Sequence, residues 1–512
     1  MYVVYLVTEL YKPVGGLYRY TDSLIRAWNE ALSNGKTNIE PIVIGVKDPK
    51  QPLADLQQSE RFKEFIEENE GVNVYEARRG GRTCYFIEGK VPDISFFHYI
   101  LWERYRIKSH KSSKWKYYTD TLSPFWYWAP RVIRFLMEKE GIKVKCIDAQ
   151  DWLAFPAGFL ARDELEIPLN CRLHSGEYGR SLGNPDLDAA PVWIEAASLV
   201  FSDYVQGVSI NETIFEITHL MPLRDIIVED VKERKGVFWY GYQKLKERKI
   251  ENFLIYEPRE ELVMLMDVVG GMPNGIHLNE WDKITKKDIL NGKKMLKRMM
   301  PDKKGFIFFI GRPDYRKGLD FLLEAFSKIL PEHPETGLVI ASSMNEEEFD
   351  RYSKIIERLS IKESTYILDK WLEDDEKKSL FCASDIIALP SLYEPFGIVA
   401  LEGLAADYAC EKNGTTGPVV VCGNTGGMDE IIKSGVSGFE VPINNFKIDP
   451  DILAHIFEDI FTKRGLRKKI SKNGAKRVQS KHFRWDYILE KVFEVYDKAV
   501  RNFESLKRSS AY

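Results

Sequence analysis

Two carboxylates eight residues apart are the first sign of chemistry in this sequence. Glu394 stands just before a run of helix-forming residues, and Glu402 lies inside that run among apolar side chains. Asp and Glu are almost never buried without a partner, because an unpaired carboxylate in an apolar environment costs several kcal/mol. The hydroxyls of a bound sugar would satisfy Glu394, and those of a ribose would satisfy Glu402. An ion pair with an arginine is the alternative for Glu402.

A basic loop precedes these carboxylates in the chain. The stretch FIGRPDYRKGLD places Arg312 and Lys317 directly after a strand that ends at Ile310, in front of a predicted helix. Cations beside a helix N-terminus form an anion site, so a diphosphate would fit there. A solvated basic loop is the alternative that this stretch alone leaves open.

Two glycine-containing loops also join a strand to a helix. The segment GNTGGMDE contains Thr425, Gly426 and Gly427, and the segment KPVGGL contains Gly15 and Gly16. Glycines let a backbone approach a phosphate or a sugar closely. A plain tight turn is the alternative interpretation of GNTGGMDE.

The elements that must position these residues form two blocks of alternating strands and helices. The first block opens with the strand YVVYLV and includes NCRLHSG, where His174 follows a strand. The second block begins with FIFFIG and includes DIIALPS and PVVVCGN. This alternation predicts an α/β fold with two doubly wound, mostly parallel sheets. Ligands of such sheets bind outside the carboxyl ends of the strands, where all the candidate residues stand. A lone histidine is more often structural than catalytic.

Composition narrows the class of protein. The chain has 512 residues with 73 basic and 77 acidic side chains and a net charge of −4; this balance disfavours nucleic acid or a membrane surface as a partner. Its six cysteines are scattered without a C-x-x-C pair, which predicts a reducing, cytoplasmic location. The apolar N-terminus predicts a buried strand rather than a signal peptide. No residues have metal-ligand spacing, so we expect neither a metal nor another cofactor.

Residues 81–130 are rich in aromatic side chains, with Phe125, Trp126, Tyr127 and Trp128 in succession. A local core built on bulky rings explains most of them. A sugar-stacking surface is the functional alternative, because flat ring faces suit amphipathic ligands.

Together the motifs resemble the two-Rossmann (GT-B) retaining glycosyltransferases, and most specifically the glycogen/starch synthase family in its archaeal-like form. The stretch EPFGIVALE matches the E-x7-E motif of that family, and GRPDYRKG matches its diphosphate loop. TGGMDEIIKSGVSGFEVP, KPVGGL, AQDW and PNGIH resemble further segments of it. Gln150, in AQDW, stands where the family has a histidine.

The resemblance implies a role for each candidate residue. Arg312 and Lys317 would hold the donor diphosphate and stabilise its departure. Glu394 and His174 would contact the transferred sugar, and Glu402 would bind the ribose. The other donor-binding positions that the resemblance implies are Lys12, Gly15, Gly16, Phe396, Gly397, Ile398, Thr425, Gly426 and Gly427.

The family's architecture implies two Rossmann-like domains that face each other across a cleft. We predict an N-terminal, acceptor-side domain over residues 1–282, completed by a C-terminal helix over about 485–512. A hinge region over 283–304 would lead into a nucleotide-sugar-binding domain over 305–484.

The implied function is transfer of glucose, with retention, from UDP- or ADP-glucose to the end of an α-1,4-glucan. The partners would be the nucleotide-sugar donor and an α-glucan or other sugar acceptor. Three alternatives stay open. A transferase with a small acceptor, such as a trehalose- or sucrose-type synthase, would share the chemistry. A nucleotide-sugar epimerase would share the two-Rossmann architecture. An inactive sugar-binding or scaffold subunit is the third, and the presence of the cationic loop and both glutamates argues against it.

Overall fold

The computed structural model describes most of the chain as two compact units. The described residues are 1–10, 15–48, 55–107, 118–233 and 269–509. The first unit comprises Met1–Met272 and Trp485–Tyr512, and the second comprises Pro273–Arg484.

The first unit has a nine-stranded sheet within the described ranges. Its strands are β1 Tyr2–Val7, β2 Glu40–Val46, β3 Gln57–Gln58, β4 Val72–Arg79, β5 Arg82–Gly89, β6 Val144–Gln150, β7 Leu169–Leu173, β8 Tyr204–Gly207 and β9 Val269–Gly271. Their order across the sheet is β3-β4-β5-β2-β1-β6-β7-β8-β9. β4 pairs antiparallel with β3 and β5, and the remaining neighbours pair in parallel.

Helices cover both faces of this sheet. They are α1 Gly16–Ser33, α2 Lys63–Glu68, α3 Ile94–Tyr105, α4 Ser123–Lys139, α5 Phe155–Leu165, α6 Glu177–Arg180, α7 Ala190–Phe201 and α8 Ile210–Glu233. Side chains of β1 alternate between two cores: Val4 and Leu6 share one with α4 and α5, whereas Val3, Tyr5 and Val7 share the other with α1. A strand covered on both faces is expected to be apolar throughout, as β1 is.

The second unit has a six-stranded, fully parallel sheet. Its strands are β10 Gly305–Ile310, β11 Thr336–Ala341, β12 Thr365–Leu368, β13 Ile386–Leu389, β14 Val419–Gly423 and β15 Phe439–Val441. They lie in the order β12-β11-β10-β13-β14-β15. A small antiparallel pair, β16 Ile443–Asn444 with β17 Lys447–Ile448, follows the last strand. The strand order reverses between β10 and β13, and in the first unit between β1 and β6, so these are the switch points where ligands bind in such sheets.

The helices of the second unit complete its two outer layers. They are α9 Leu278–Trp281, α10 Lys286–Met299, α11 Leu319–Ile329, α12 Glu346–Arg358, α13 Asp374–Ala383, α14 Ile398–Lys412, α15 Met428–Ile431, α16 Pro450–Thr462 and α17 Leu466–Val478. None of the described helices in either unit is long and apolar enough to span a bilayer. Two doubly wound α/β units confirm the predicted fold class.

The last helix, α18 Trp485–Ser509, returns to the first unit. Its Tyr496 hydroxyl donates to Asp148 in β6 at 2.6 Å, and Asn170 in β7 donates to the same carboxylate at 2.6 Å. Burial raises the pKa of Asp148 to about 7. The polar contacts fix α18 against two neighbouring strands inside an otherwise apolar core.

The boundary between the units differs from the sequence expectation. Residues 273–304 belong to the second unit, and the segment 283–304, predicted as a hinge, contains α10. A capping box between Thr285 and Asp288 starts this helix. Gly292 then seats α10 directly on α13, since a β-carbon there would lie 2.1 Å from the Ser379 carbonyl oxygen.

The run of four aromatic residues lies in α4 and is mostly core. Phe125, Trp126 and Trp128 are buried, and Tyr127 is partly buried beneath the Arg131 guanidinium, 3.6 Å from its ring centroid. These rings therefore form the local core and not the sugar-stacking surface. Among the described residues of this region, an exposed aromatic pair lies on α3 instead, at Phe96 and Tyr99.

The close seat of α10 on α13 gives a stability prediction. Gly292→Ala is expected to lower the free energy of unfolding by about 1–3 kcal/mol, as overpacking does, although alanine favours a helix over glycine by about 1 kcal/mol. Urea unfolding would measure the change. Asn291→Ala, on the exposed side of the same helix, is the control and is expected to change stability by less than about 0.5 kcal/mol. A Gly292→Ala protein as stable as the wild type would contradict this account of the packing.

Candidate functional site

The charged side chains of the basic loop after β10 differ in direction: some bind other groups of the loop, and others point outward. Asp314 caps the short 3-10 turn Tyr315–Lys317 through the Arg316 N–H, and the Arg316 guanidinium binds both carboxylate oxygens at 3.1 and 3.0 Å. Burial alone would raise the pKa of Asp314, but Arg316, helped by Arg312 and Lys317, outweighs burial and lowers it. The Arg312 side chain is 76% exposed. Arg316 thus holds the loop, and Arg312 points outward.

Lys317, the other cation predicted for the diphosphate, contacts the first of the two carboxylates. Lys317 Nζ donates to Glu394 Oε2 at 2.5 Å, and both side chains are about one-fifth exposed. Lys317 follows β10 and Glu394 follows β13, which are paired neighbours. The structure therefore brings together the residue predicted for the diphosphate and the residue predicted for the sugar.

Close backbone contact holds the two loops at this distance. Gly318 has φ +69°, and a β-carbon there would lie 1.8 Å from the Pro390 carbonyl oxygen. The Leu392 N–H donates to the Arg316 carbonyl at 2.7 Å. Only glycine combines the left-handed conformation with this approach.

The Thr425–Gly427 loop after β14 packs against the Glu394 loop from the other side. Gly426, at φ +52°, would place a β-carbon 2.0 Å from the Glu394 carbonyl oxygen. The Gly427 N–H donates to the Pro395 carbonyl at 3.0 Å. Gly426 is needed for loop packing, and the predicted approach of both glycines to a phosphate stays a prediction.

Helix α14 begins between these loops. Gly397 is its N-cap residue with φ +101°, and no side chain in the described part caps the first turn. Phe396, just before it, is buried. Ile398 opens the helix, so backbone N–H groups of its first turn stand near the end of β13.

Glu402 has a partner from another helix. Lys377 Nζ, on α13, donates to Glu402 Oε1 at 2.7 Å, with the side chains only 5% and 12% exposed. Lys377 also lies 3.4 Å from Asp374. The alternative of an ion pair is thus realised by a lysine of the same unit rather than by an arginine. The ribose role of Glu402 stays a prediction.

The predicted groups of the first unit lie at the carboxyl ends of β1 and β7. Gly15, at φ +100°, precedes α1, and a β-carbon on Gly16 would meet no atom of the described residues within 4 Å. Lys12 lies outside the described residues.

His174 follows β7 and contacts the end of β6. Its Nε2 lies 2.9 Å from Gln150 Oε1, and the Tyr20 ring packs edge-on at 4.9 Å between centroids. Burial, together with the positive charges of Arg172 and Arg180, holds the pKa of His174 well below its usual value. The imidazole is neutral at neutral pH, with Nε2–H donating to Gln150, so it is suited to bind a hydroxyl and not a phosphate.

Sequence reasoning missed two residues beside His174, Arg180 and Asp151, and one residue of the second unit, Trp371. Arg180 bonds Asp151 at 3.0 Å and ties the His174 loop to the end of β6. Burial raises the pKa of Asp151 to about 6 against the opposing effect of Arg180. Trp371, 54% exposed, follows β12 at the carboxyl edge of the second sheet. The available signal for Trp371 in the sequence was a tryptophan three residues after the end of a strand.

Residues 293–477 match the family of glycosyl transferases group 1. This range includes the loops after β10, β13 and β14. An uncharacterized glycosyltransferase of Methanocaldococcus jannaschii is 32% identical over 235 residues, which are 46% of this chain and 55% of that protein. The chain spans about half the length of the curated relatives it matches.

Two solved structures resemble nearly the whole chain. Sucrose-phosphate synthase from Thermosynechococcus elongatus has a TM-score of 0.61 at 17% identity, covering 97% of this chain and 98% of that one. The catalytic domain of starch synthase IV from Arabidopsis thaliana, bound to ADP and acarbose, has a TM-score of 0.61 at 16% identity, covering 98% and 99%. At these identities the likeness establishes the fold.

The Lys377–Glu402 pair generates a test of the ribose role. Glu402→Ala leaves a buried lysine without its carboxylate, so it is expected to lower the melting temperature as well as donor affinity. The double variant Lys377→Met/Glu402→Met replaces the ion pair by apolar side chains and is expected to recover stability. If Glu402 binds the ribose, the double variant still binds the donor at least about tenfold more weakly, a loss of about 1.4 kcal/mol. Calorimetry would measure donor Kd, and wild-type affinity in the stable double variant would refute the ribose role.

Proposed function

We propose that this chain, whose second unit carries a group 1 glycosyl transferase domain within a GT-B fold, is a retaining glucosyltransferase. It would move glucose from a nucleotide-diphosphate glucose to the end of an α-1,4-glucan. The observation that carries the proposal is the hydrogen bond between Lys317 and Glu394. A cation suited to a diphosphate and a carboxylate suited to a sugar are neighbours at the switch point of one sheet.

Stabilisation of the leaving group is the main task of the second unit in this proposal. The diphosphate gains negative charge as its bond to the sugar breaks, and groups placed where charge develops lower that barrier most. Lys317 and the exposed Arg312 would supply positive charge. The uncapped first turn of α14, behind Gly397, would add backbone N–H groups.

Sugar recognition would use Glu394 and His174. Lys317 engages Oε2 of Glu394, so Oε1 is the atom offered to a sugar hydroxyl. With its Nε2–H donated to Gln150, neutral His174 offers Nδ1 as an acceptor. The proposed reaction proceeds on one face of the sugar without a stable covalent intermediate, which is what the resemblance to retaining GT-B enzymes implies.

A transferase with a small acceptor is the second candidate. Sucrose-phosphate synthase resembles the chain as closely in fold as starch synthase IV does, with a TM-score of 0.61 for each. An epimerase is less well supported, since the second unit matches glycosyl transferases.

Loss of the Lys317 cation is expected to slow the chemical step. Lys317→Ala should lower kcat by about a hundredfold or more, as removal of one oxyanion donor does. Steady-state release of nucleoside diphosphate would measure it. Lys328→Ala, on the exposed face of α11 in the same unit, is the matched control and should keep wild-type kcat. A Lys317→Ala enzyme with near-normal kcat would remove Lys317 from the mechanism.

A donor-by-acceptor activity matrix tests the function as a whole. UDP- and ADP-glucose would each be offered with glycogen, maltose, glucose and fructose. The proposal predicts release of nucleoside diphosphate only with an acceptor, and preference for long α-1,4-glucans by a wide margin. Efficient use of glucose or fructose without use of glycogen would replace the glucan proposal by the small-acceptor synthase.

The exposed rings of α3 extend this prediction to polymer binding. Phe96 and Tyr99 are 58% and 55% exposed, and their rings lie side by side, 6.4 Å apart with 24° between their planes. Flat ring faces with a polar tip bind sugars by stacking. If these two rings bind a glucan, Phe96→Ala and Tyr99→Ala are expected to raise KM for glycogen, while KM for maltose and donor Kd stay unchanged.

A further inference from the structure

Two buried glutamates that no motif predicts lie beneath the His174 loop. Glu195, on α7, and Glu216, on α8, are each 0% exposed. Both Oε atoms of Glu195 accept from the Glu177 N–H, at 3.1 and 3.0 Å. Glu216 Oε1 accepts from the Gly179 N–H at 2.7 Å. Two helices therefore hold one short turn by its backbone.

The turn that they hold continues directly from His174. Gly176 lies flat on the Glu216 carboxyl group, since a β-carbon there would be 2.0 Å from its Cδ. At the far end of the turn, Arg180 donates to Ser175 at 3.0 Å and to Asp151 at 3.0 Å. The loop is thus clamped from below by two carboxyl groups and from the side by the end of β6.

We infer that Glu195 and Glu216 are positioning residues for His174, and that they hold its loop only while the pair retains one proton. This inference rests on the proposed function for the role of His174 but not for the state of the loop. Within the described part of the chain, the Glu216 Oε2 atom has no hydrogen-bond partner. An ionised Glu216 would therefore bury a charge that the backbone N–H groups of the turn and Arg180 compensate only in part. A second negative charge beside Glu195 would repel the first.

The charges around the pair do not neutralise two anions. The turn contributes Glu177, whose negative charge opposes the ionisation of Glu195 and Glu216, and Arg180, whose positive charge favours it. Arg180 divides its guanidinium among Ser175, Glu177 and Asp151. On α8, His219 packs on Tyr178, 5.0 Å between ring centroids. Helix α5 packs against α7, and its charged side chains bind other partners: Arg162 bonds Asp203, and Asp163 accepts from Tyr105.

The sign of the pH effect follows from these surroundings. Burial, followed by the charge of Glu216, raises the pKa of Glu195 well above its usual value, and burial raises the pKa of Glu216 to about 7. A carboxyl group with a raised pKa contributes stability that is fully present below its ordinary pKa near 4.5 and is lost as pH rises through about 7. The loop is therefore expected to be held firmly in mild acid and released in mild alkali.

Amide hydrogen exchange of the segment 174–181 tests the inference without any activity assay. In the wild type, protection corrected for intrinsic exchange should fall as pH rises from 6 to 8.5. In Glu216→Gln the neutral amide still accepts from Gly179, and Glu195 can ionise alone. Protection should then persist to a pH at least about one unit higher. Glu229→Gln, an exposed position of the same helix, is the matched control and should follow the wild type.

Kinetics link the loop to the reaction. In Glu216→Gln, the pH at which kcat falls on the alkaline side should rise by about one unit or more, and donor KM should stay unchanged. If Glu216→Gln folds poorly, Glu195→Gln is the second variant. Loop protection that is independent of pH and identical in all variants would overturn the inference. Absence of any transferase activity, with the exchange behaviour as expected, would instead refute the proposed function and leave the clamp standing.

Discussion

The approach of three loop backbones in the second unit is the constraint on which its candidate site depends. Gly318 contacts the Pro390 carbonyl, Gly423 would place a β-carbon 2.2 Å from the Ser391 carbonyl, and Gly426 contacts the Glu394 carbonyl. Any side chain at these positions would separate the loops after β10, β13 and β14. The 2.5 Å contact between Lys317 and Glu394 exists because the backbones behind it cannot move apart without losing buried hydrogen bonds.

The first unit fixes its candidate group by different physics. The His174 loop is held by two carboxyl groups, with Gly176 packed on one of them, and by a guanidinium. The carboxyl groups titrate, whereas the guanidinium stays charged. Steric contact between backbones is independent of pH, whereas a clamp built from Glu195 and Glu216 is not. One chain therefore contains a rigid cationic edge and, in its other unit, a loop whose order depends on a proton.

The sequence predicted those features that follow from element order and local pattern. Parallel strands bring their carboxyl ends to one edge, so the loops of Arg312, Lys317 and Glu394 could be expected to lie together. Pairs between residues that are distant in the chain could not be predicted. Lys377 reaches Glu402 from a helix whose sequence gives no sign of a buried lysine. The rule that drew attention to Glu402 applies equally to Glu195, a lone acid in the helix APVWIEAASLVF, and would have found the second carboxylate site.

The four consecutive rings of α4 point in different directions around the helix axis, because successive helical residues do so. They are mostly buried because α4 is enclosed, with β5 on one side and α5 on another. A helix that is covered on several sides is apolar on all of its faces. From the sequence alone, such a helix cannot be distinguished from one that exposes an aromatic patch. The exposed pair lies in α3, whose stretch ISFFHYILWERY is just as rich in rings, so ring density alone does not separate an exposed pair from a core.

The two units differ in how they use charge, and this difference fits the proposed chemistry. The second unit turns Arg312 outward and uses Arg316 to bind Asp314 within the loop, so Arg312 would be the guanidinium available to a diphosphate. The first unit keeps His174 neutral by burying it beside two arginines. A neutral imidazole can exchange hydrogen bonds with a sugar hydroxyl without attracting the leaving diphosphate. Positive charge would then favour only the bond that breaks, which is where transition-state stabilisation has its effect.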